Sequence, residues 1–159
     1  MSIHSVSIIP FIKNKGFVIC EEMRKKFPDI LEKELKKHFI GGKVEYKESP
    51  LYAVSRELCE EVPFDCNPVD IELLIRNSKY SYCDIIVSDS KKLKHRFYII
   101  YVNSIKNKKI KKMFMNMVND FDREKSQLES LLYWDGITKL DNISSLFEKY
   151  IDDCIFIKK

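Results

Sequence analysis

No apolar run in this 159-residue chain is long enough to cross a bilayer as a helix, and no basic-then-apolar leader with a cleavage site opens it. Those absences set the expectation of a cytoplasmic protein with no membrane partner. A disulfide or zinc framework is missing too. The five cysteines (Cys20, Cys59, Cys66, Cys83 and Cys154) are odd in number and show no CxxC spacing, so buried thiols in a reducing compartment are expected. His4, His38 and His95 are too scattered to suggest a metal site. Repeats and low-complexity linkers are absent, and no heptad seam signals self-association.

What remains is ordinary globular material. Apolar residues make up 45% of the chain, and 159 residues suit one domain with an adequate core, taken as residues 1–159. Lysine, isoleucine and asparagine are abundant, which fits an AT-rich genome, viral or parasitic; for a viral protein the compartment becomes the host cytoplasm. Residues 5–12 form a β-branched run that ends at the turn signal Asn14-Lys15-Gly16, and residues 17–21 continue as a second strand. Residues 28–37 read as a short amphipathic helix or ordered loop. Phe39-Ile40 then leads into a Gly41-Gly42 turn. Further strands are expected near 69–76, 80–87 and 96–103. Residues 111–132 are helical in tendency with a polar break at 119–123, and residues 144–154 form a closing helix. Mixed strands flanked by helices suit an α/β/α sandwich.

The chemistry is concentrated in GKVEYKESPLYAVSRELCEEVPF, from Gly42 to Phe64. Ser49 is a good N-cap, and Pro50 falls at the first helical position, where its missing N–H costs nothing. Leu51, Val54, Leu58 and Val62 make an apolar stripe, and Pro63 drives Val62 out of helical geometry to end the element. On a helical wheel the stripe points away from Glu57, Glu60 and Glu61. At about 3.6 residues per turn these three carboxylates share an arc. Like charges this close oppose one another unless a cation lies between them, and an all-oxygen set suits a hard ion, Mg²⁺ or Mn²⁺.

A Glu-rich amphipathic helix is often no more than a solvated face. Gly42 and Glu48 at fixed offsets set this stretch apart. Gly42, five residues, Glu48, seven residues, then Arg56-Glu57-Leu58-any-Glu60-Glu61 and a hydrophobic Phe64 resemble the signature of the Nudix (MutT-like) hydrolases. Pro63 stands where that signature carries its last glycine, so the path of the exit loop departs from the family pattern.

The resemblance implies a Nudix-type α/β/α sandwich with a mixed sheet and a catalytic loop–helix–loop. It also implies metal-assisted attack of water on a diphosphate linkage in a nucleoside diphosphate derivative. Carried over residue by residue, Glu57, Glu60 and Glu61 supply metal ligands, joined by the carbonyl of Gly41. Glu57 or Glu60 orients or deprotonates the water, while Arg56 and Glu48 brace the loop beside Gly42. Family members often recruit a later acid as base or ligand; Glu129 and Glu124 are the candidates here, with Asp135 behind them. Tyr133 and Trp134 could stack on a base but are more often core.

Substrate identity is carried by weaker signals. The net charge is +4, and basic residues cluster around Lys91, Lys94 and Arg96 and around Lys108 and Lys109. Such clusters attract RNA backbones, although solvated loops of a lysine-rich protein look the same. They make hydrolysis of the mRNA cap, with release of m7GDP, one reading, as in eukaryotic and large-DNA-virus decapping enzymes. Against it, no separate RNA-binding domain or decapping-specific second motif accompanies the signature. The alternatives are a housekeeping hydrolase of ADP-ribose, dinucleoside polyphosphates or oxidised nucleoside triphosphates, and a degenerate module that binds nucleotide or RNA without turnover.

Overall fold

A computed structural model describes residues 2–25, 33–62 and 65–136. Seven strands appear in chain order: β1 (Ser2–Ile12), β2 (Gly16–Lys25), β3 (Lys33–His38), β4 (Ile40–Lys43), β5 (Tyr80–Ser88), β6 (Leu93–Tyr101) and β7 (Ser130–Trp134). Helices α1 (Pro50–Glu61) and α2 (Pro68–Arg76) separate β4 from β5, and α3 (Lys108–Met115) follows β6. None of the described helices is long and apolar enough to cross a membrane.

The strands form one mixed sheet in the order β3-β2-β1-β6-β5, with β4 paired to β1 and β7 paired to β2. β1 and β6 run parallel from Ser2↔Leu93 to Phe11↔Tyr101, while the other pairings are antiparallel. β1 meets β2 only at Phe11↔Phe17 and Ile12↔Gly16, then gives that same edge to β4 over Ser5–Ile8. β2 divides one edge in a similar way, between β1 and β3, and pairs its other edge with β7. These divided edges curl the sheet. The β1–β2 connection is the expected Asn-Lys-Gly turn, with Asn14 at φ 67 and Gly16 at φ 115, a region that favours small or amide side chains.

As the central strand, β1 is buried on both faces, as its apolar run requires. On one face Val6, Ile8, Val18, Cys20 and Ile40 join Leu51, Val54, Leu58 and Val62 of the α1 segment. On the other, Ile9, Phe17, Ile19, Phe97, Ile99 and Trp134 form a second cluster. His95 is a satisfied core residue. Its ring nitrogens lie 2.6 Å from Ser5 Oγ and 2.8 Å from Ser7 Oγ, and burial depresses its pKa to about 4. Among the described residues, Cys20, Cys59, Cys66 and Cys83 take part in no disulfide.

Strands expected at 5–12, 17–21 and 80–87 are present. The one expected near 96–103 is β6, which starts at Leu93 and gives way after Tyr101 to a 3₁₀ turn at Val102–Ser104. Four other expectations are corrected. The expected helix or loop at 28–37 contains β3, which pairs with β2 from Cys20↔His38 to Lys25↔Lys33. Because β1 leaves β2 early, that edge needs a partner, and a charged segment without a broad apolar stripe gains more by pairing than by coiling. The Gly41-Gly42 turn is instead part of β4, opposite Ser7 and Val6.

The expected strand at 69–76 is helix α2. Asn67 Oδ1 accepts from the Asp70 N–H at 2.9 Å, Pro68 opens the helix, and Ile71, Leu74 and Ile75 are buried at helical spacing. Cap and period together outweigh the β-propensity of Val and Ile. In 111–132 the polar break holds, but helix survives only to Met115, and the segment ends in β7, whose Leu131 and Trp134 complete the two cores. The closing helix expected at 144–154 lies outside the described residues.

Candidate functional site

Helix α1 forms as its caps and stripe dictate. Ser49 Oγ accepts from the Tyr52 N–H at 3.2 Å, Pro50 occupies the first turn, and Leu51, Val54 and Leu58 are buried. Val62 leaves the helix in extended geometry at φ −114, ψ 121, as a following proline demands. Pro63 and Phe64 themselves lie outside the described residues.

With the apolar stripe against the sheet, the opposite arc opens into a cleft of about 520 Å³. It is lined by Glu57, Glu60, Glu61, Glu124, Lys125, Ser126 and Gln127. The far wall is tied to the helix: the Ser126 hydroxyl donates to the Glu61 carbonyl and accepts from the Leu128 N–H.

Arg56 organises the near wall. Its Nε and Nη2 fork onto Glu48 at 2.6 and 3.0 Å, Nη2 also donates to the Lys43 carbonyl at 3.1 Å, and Nη1 reaches Glu57 at 3.0 Å and Glu60 at 3.2 Å. Glu48 in turn accepts from the Glu45 N–H at 2.8 Å, closing the loop between β4 and α1. The Arg56 fork holds the Glu48 carboxyl below the usual carboxylate range. Burial pushes Glu57 the other way, with Arg56 opposing the shift.

Glu61 is the most perturbed acid. Burial, then the charges of Glu57, Glu22 and Glu60, raise its pKa to about 8 against the pull of the Gly41 N–H, and its Oε2 is buried without a hydrogen-bond partner.

The paired glycines of β4 lie beneath this helix for reasons of space. A Cβ at Gly41 would strike the backbone of Val6 and Ser7; one at Gly42 would fall on the Glu57 carboxylate. Gly41, Gly42, Glu48, Arg56, Glu57, Glu60 and Glu61 therefore form one constellation. Among the described residues, however, no three His, Cys, Asp or Glu side chains stand close enough to make a preformed metal cluster. Arg56 draws Glu57 and Glu60 toward itself, so the three carboxylates share a cleft without meeting at a point.

Of the two later acids, Glu124 lines the cleft, whereas Glu129 pairs with Arg123 at 2.7 Å and bonds through its N–H to the Glu21 carbonyl. Trp134 is core. The basic candidates separate. Arg96 is held by Asp84 at 2.7 and 2.9 Å and stacks 4.2 Å over Tyr82, and neither Lys91, Lys94 nor Arg96 lines the carboxylate cleft. Lys108 and Lys109 open α3, both exposed. Lys109 shares a hollow of about 270 Å³ with Val62, at the exit of α1.

One acid near this site escapes the sequence reading. Glu22 of β2 acts on Glu61 through its charge and pairs with His38 Nε2 at 2.8 Å. The available signal was alternation: Val18 and Cys20 face the core, and Glu22 continues the same face.

The fold is thus a mixed α/β sheet that carries a loop–helix element with a carboxylate cleft. The family model for the NUDIX domain matches residues 1–113, and the chain belongs to the Nudix family. Among solved structures it is similar to MutT from Methanosarcina mazei Go1, at 15% identity over 95% of this chain and 94% of that one, TM-score 0.51. It is also similar to the dihydroneopterin triphosphate pyrophosphohydrolase of E. coli, at 10% identity over 96% and 100%, TM-score 0.52. A MutT structure from work on Aliivibrio salmonicida and Vibrio cholerae matches at 26% identity over 62% of this chain, TM-score 0.40, and the match spans 64% of that chain, under two thirds of its length. No curated protein matches the sequence.

Proposed function

We propose that the chain hydrolyses a phosphoanhydride bond in a nucleoside diphosphate derivative at the Glu57–Glu60–Glu61 cleft, with Mg²⁺ or Mn²⁺ as cofactor. The observation that carries this reading is Glu61. A carboxylate with a buried, unpartnered oxygen and three acidic neighbours gains most from a hard divalent cation, and oxygen-only donors fit one. Glu57, Glu60, Glu61 and the Gly41 carbonyl would hold it. Bound there, such an ion supplies neutralisation of the diphosphate oxygens and a lowered pKa for water.

The protein's own groups do the rest. Glu57 or Glu60 orients the attacking water and takes its proton. Arg56 keeps both carboxylates and Glu48 in register. Glu124, across the cleft, is the nearer candidate for an additional acid than Glu129. Gly42 leaves room for the Glu57 carboxylate, so Gly42→Ala should push that group aside and lower kcat about 10-fold or more with an unchanged melting temperature. Wild-type kcat in this variant would remove Glu57 from the reaction.

A capped-RNA substrate is the finer reading, favoured by the exposed Lys106, Lys108, Lys109 and Lys112 on and before α3, next to the exit of α1. A panel of capped RNA, ADP-ribose, diadenosine polyphosphates and nucleoside triphosphates, run with Mg²⁺ and with Mn²⁺, tests both levels. Release of m7GDP with steep salt dependence supports the cap. Preference for free nucleotides with weak salt dependence supports a small-nucleotide hydrolase. Binding without turnover on every substrate overturns the hydrolytic proposal in favour of a non-catalytic module.

A further inference from the structure

Among the described residues that line the carboxylate cleft, Lys125 alone is a cation, on the wall opposite Glu57, Glu60 and Glu61 and next to Glu124. The backbone that carries it is fixed. Asp122 Oδ1 accepts from the Glu124 N–H and the Asp122 carbonyl from the Lys125 N–H, both at 3.1 Å, which closes the 3₁₀ turn Arg123–Lys125. One residue further on, the Ser126 hydroxyl donates to the Glu61 carbonyl, and Leu128 anchors the segment in the core. Lys125 is therefore tied, through its neighbour, to the helix that carries the glutamates. Its side chain is not committed in the same way. Among the described residues its one ion pair is with Asp122, at 3.9 Å, with the two side chains 70% and 43% exposed, a contact worth little in water. It pairs with none of the four glutamates of the cleft. Arg56, by contrast, is saturated by Glu48, Glu57, Glu60 and the Lys43 carbonyl.

We propose that Lys125 is the substrate-binding cation of this cleft, its ammonium engaging the non-bridging oxygens of the diphosphate from the wall opposite the glutamates. The inference deepens the reading of the site given above and rests on it. Three carboxylates outweigh one divalent cation, and Glu124 adds a fourth, so a diphosphate entering the cleft meets residual negative charge from both walls. An ammonium with three donors on a flexible stem offsets that repulsion and hydrogen-bonds phosphate oxygens as a point charge. The fixed 3₁₀ turn keeps the base of that stem at the cleft, while the uncommitted ammonium can follow the anion. Substrate is thereby held between two walls, and Lys125 selects for a ligand with anionic oxygens on the side away from α1.

Calorimetric titration with methylenediphosphonate, a diphosphate whose bridging oxygen is replaced by carbon and which cannot be hydrolysed, tests this in Mg²⁺ without reference to turnover. Wild type, Lys125→Met, Lys125→Arg and Glu61→Gln are compared, each with a melting curve. Lys15→Met, at the exposed β1–β2 turn and outside the cleft lining, removes the same charge as a control. The expected result is affinity weakened about 10-fold or more in Lys125→Met, largely recovered in Lys125→Arg and unchanged in Lys15→Met, with melting temperatures at the wild-type value. Wild-type affinity in Lys125→Met, while Glu61→Gln loses binding, overturns this proposal and leaves the diphosphate site standing. An equal loss in Lys15→Met, or a loss in Lys125→Met that comes with a lowered melting temperature, also overturns it, because overall charge or loop structure then accounts for the effect. Absence of binding in the wild type, or binding unaffected by Glu61→Gln, overturns the diphosphate reading of the cleft and this proposal with it.

Discussion

Glu61→Gln is expected to lower turnover about 100-fold or more at saturating Mg²⁺ and to leave the protein folded. The substitution keeps the shape of the side chain and removes its charge, so it isolates what the charge does. In the protein that charge stands among Glu57, Glu22 and Glu60, buried, with one oxygen unpartnered. Such a group is a poor structural element and a good cation ligand. Stability should accordingly move in the opposite direction from activity. The folded-state pKa of Glu61, about 8, lies above the unfolded value near 4.5, so its contribution favours folding at low pH and is lost as pH rises toward 8. In EDTA at pH 7 to 8, Glu61→Gln should melt at or above the wild-type temperature. Near-wild-type hydrolysis by the folded variant would refute the assignment. A lower melting temperature in EDTA would show that the charged carboxylate stabilises the fold rather than burdening it.

The contrast between α1 and its surroundings shows which features a sequence exposes. Ser49, Pro50, the 51–54–58–62 stripe and Pro63 all specify the same helix, and cap, period and stop agree without tertiary help. The same agreement exists in α2, where Asn67, Pro68 and the Ile71–Leu74–Ile75 spacing mark a helix, but Val69, Ile71 and Ile75 carry enough β-propensity to read as a strand. β3 and β4 were hidden for a different reason. Their conformation is set by edges that β1 and β2 leave open, a property of the curled sheet rather than of residues 33–43.

At the site, residues joined by local spacing were legible: Gly42, Glu48, Arg56 and the three glutamates. Those joined only by folding were not. The charge of Glu22, on another strand, opposes the ionisation of Glu61. Glu124 and Glu129 are five residues apart, and the 3₁₀ turn at Arg123–Lys125 with the Ser126 tether decides which one faces the cleft. The basic candidates divided likewise, since Arg96 is paired with Asp84 while Lys109 stays near the end of α1.

Arg56→Ala should destabilise the fold by about 3 kcal/mol and abolish most of the activity together. The guanidinium is 14% exposed and meets Glu48 (10% exposed), Glu57 (15%), Glu60 and the Lys43 carbonyl, so truncation leaves two nearly buried carboxylates without their cation. For a chain of this size that loss corresponds to a fall of about 10 °C in melting temperature. Arg56→Lys should recover little, because an ammonium cannot fork onto both Glu48 oxygens while also reaching Lys43 and Glu57. The pH dependence separates this mechanism from simple loss of packing. Glu48 has its folded pKa below 4.5, so its pairing stabilises the protein above pH 4.5 and is lost as pH falls through the depressed value. The wild-type melting temperature should therefore drop through that acid window, and the drop should be shallower in Arg56→Ala. Equal slopes would mean that Arg56 stabilises the loop through its aliphatic stem. A lysine variant with wild-type stability and turnover would mean that one point charge suffices to hold Glu48, Glu57 and Glu60 in place.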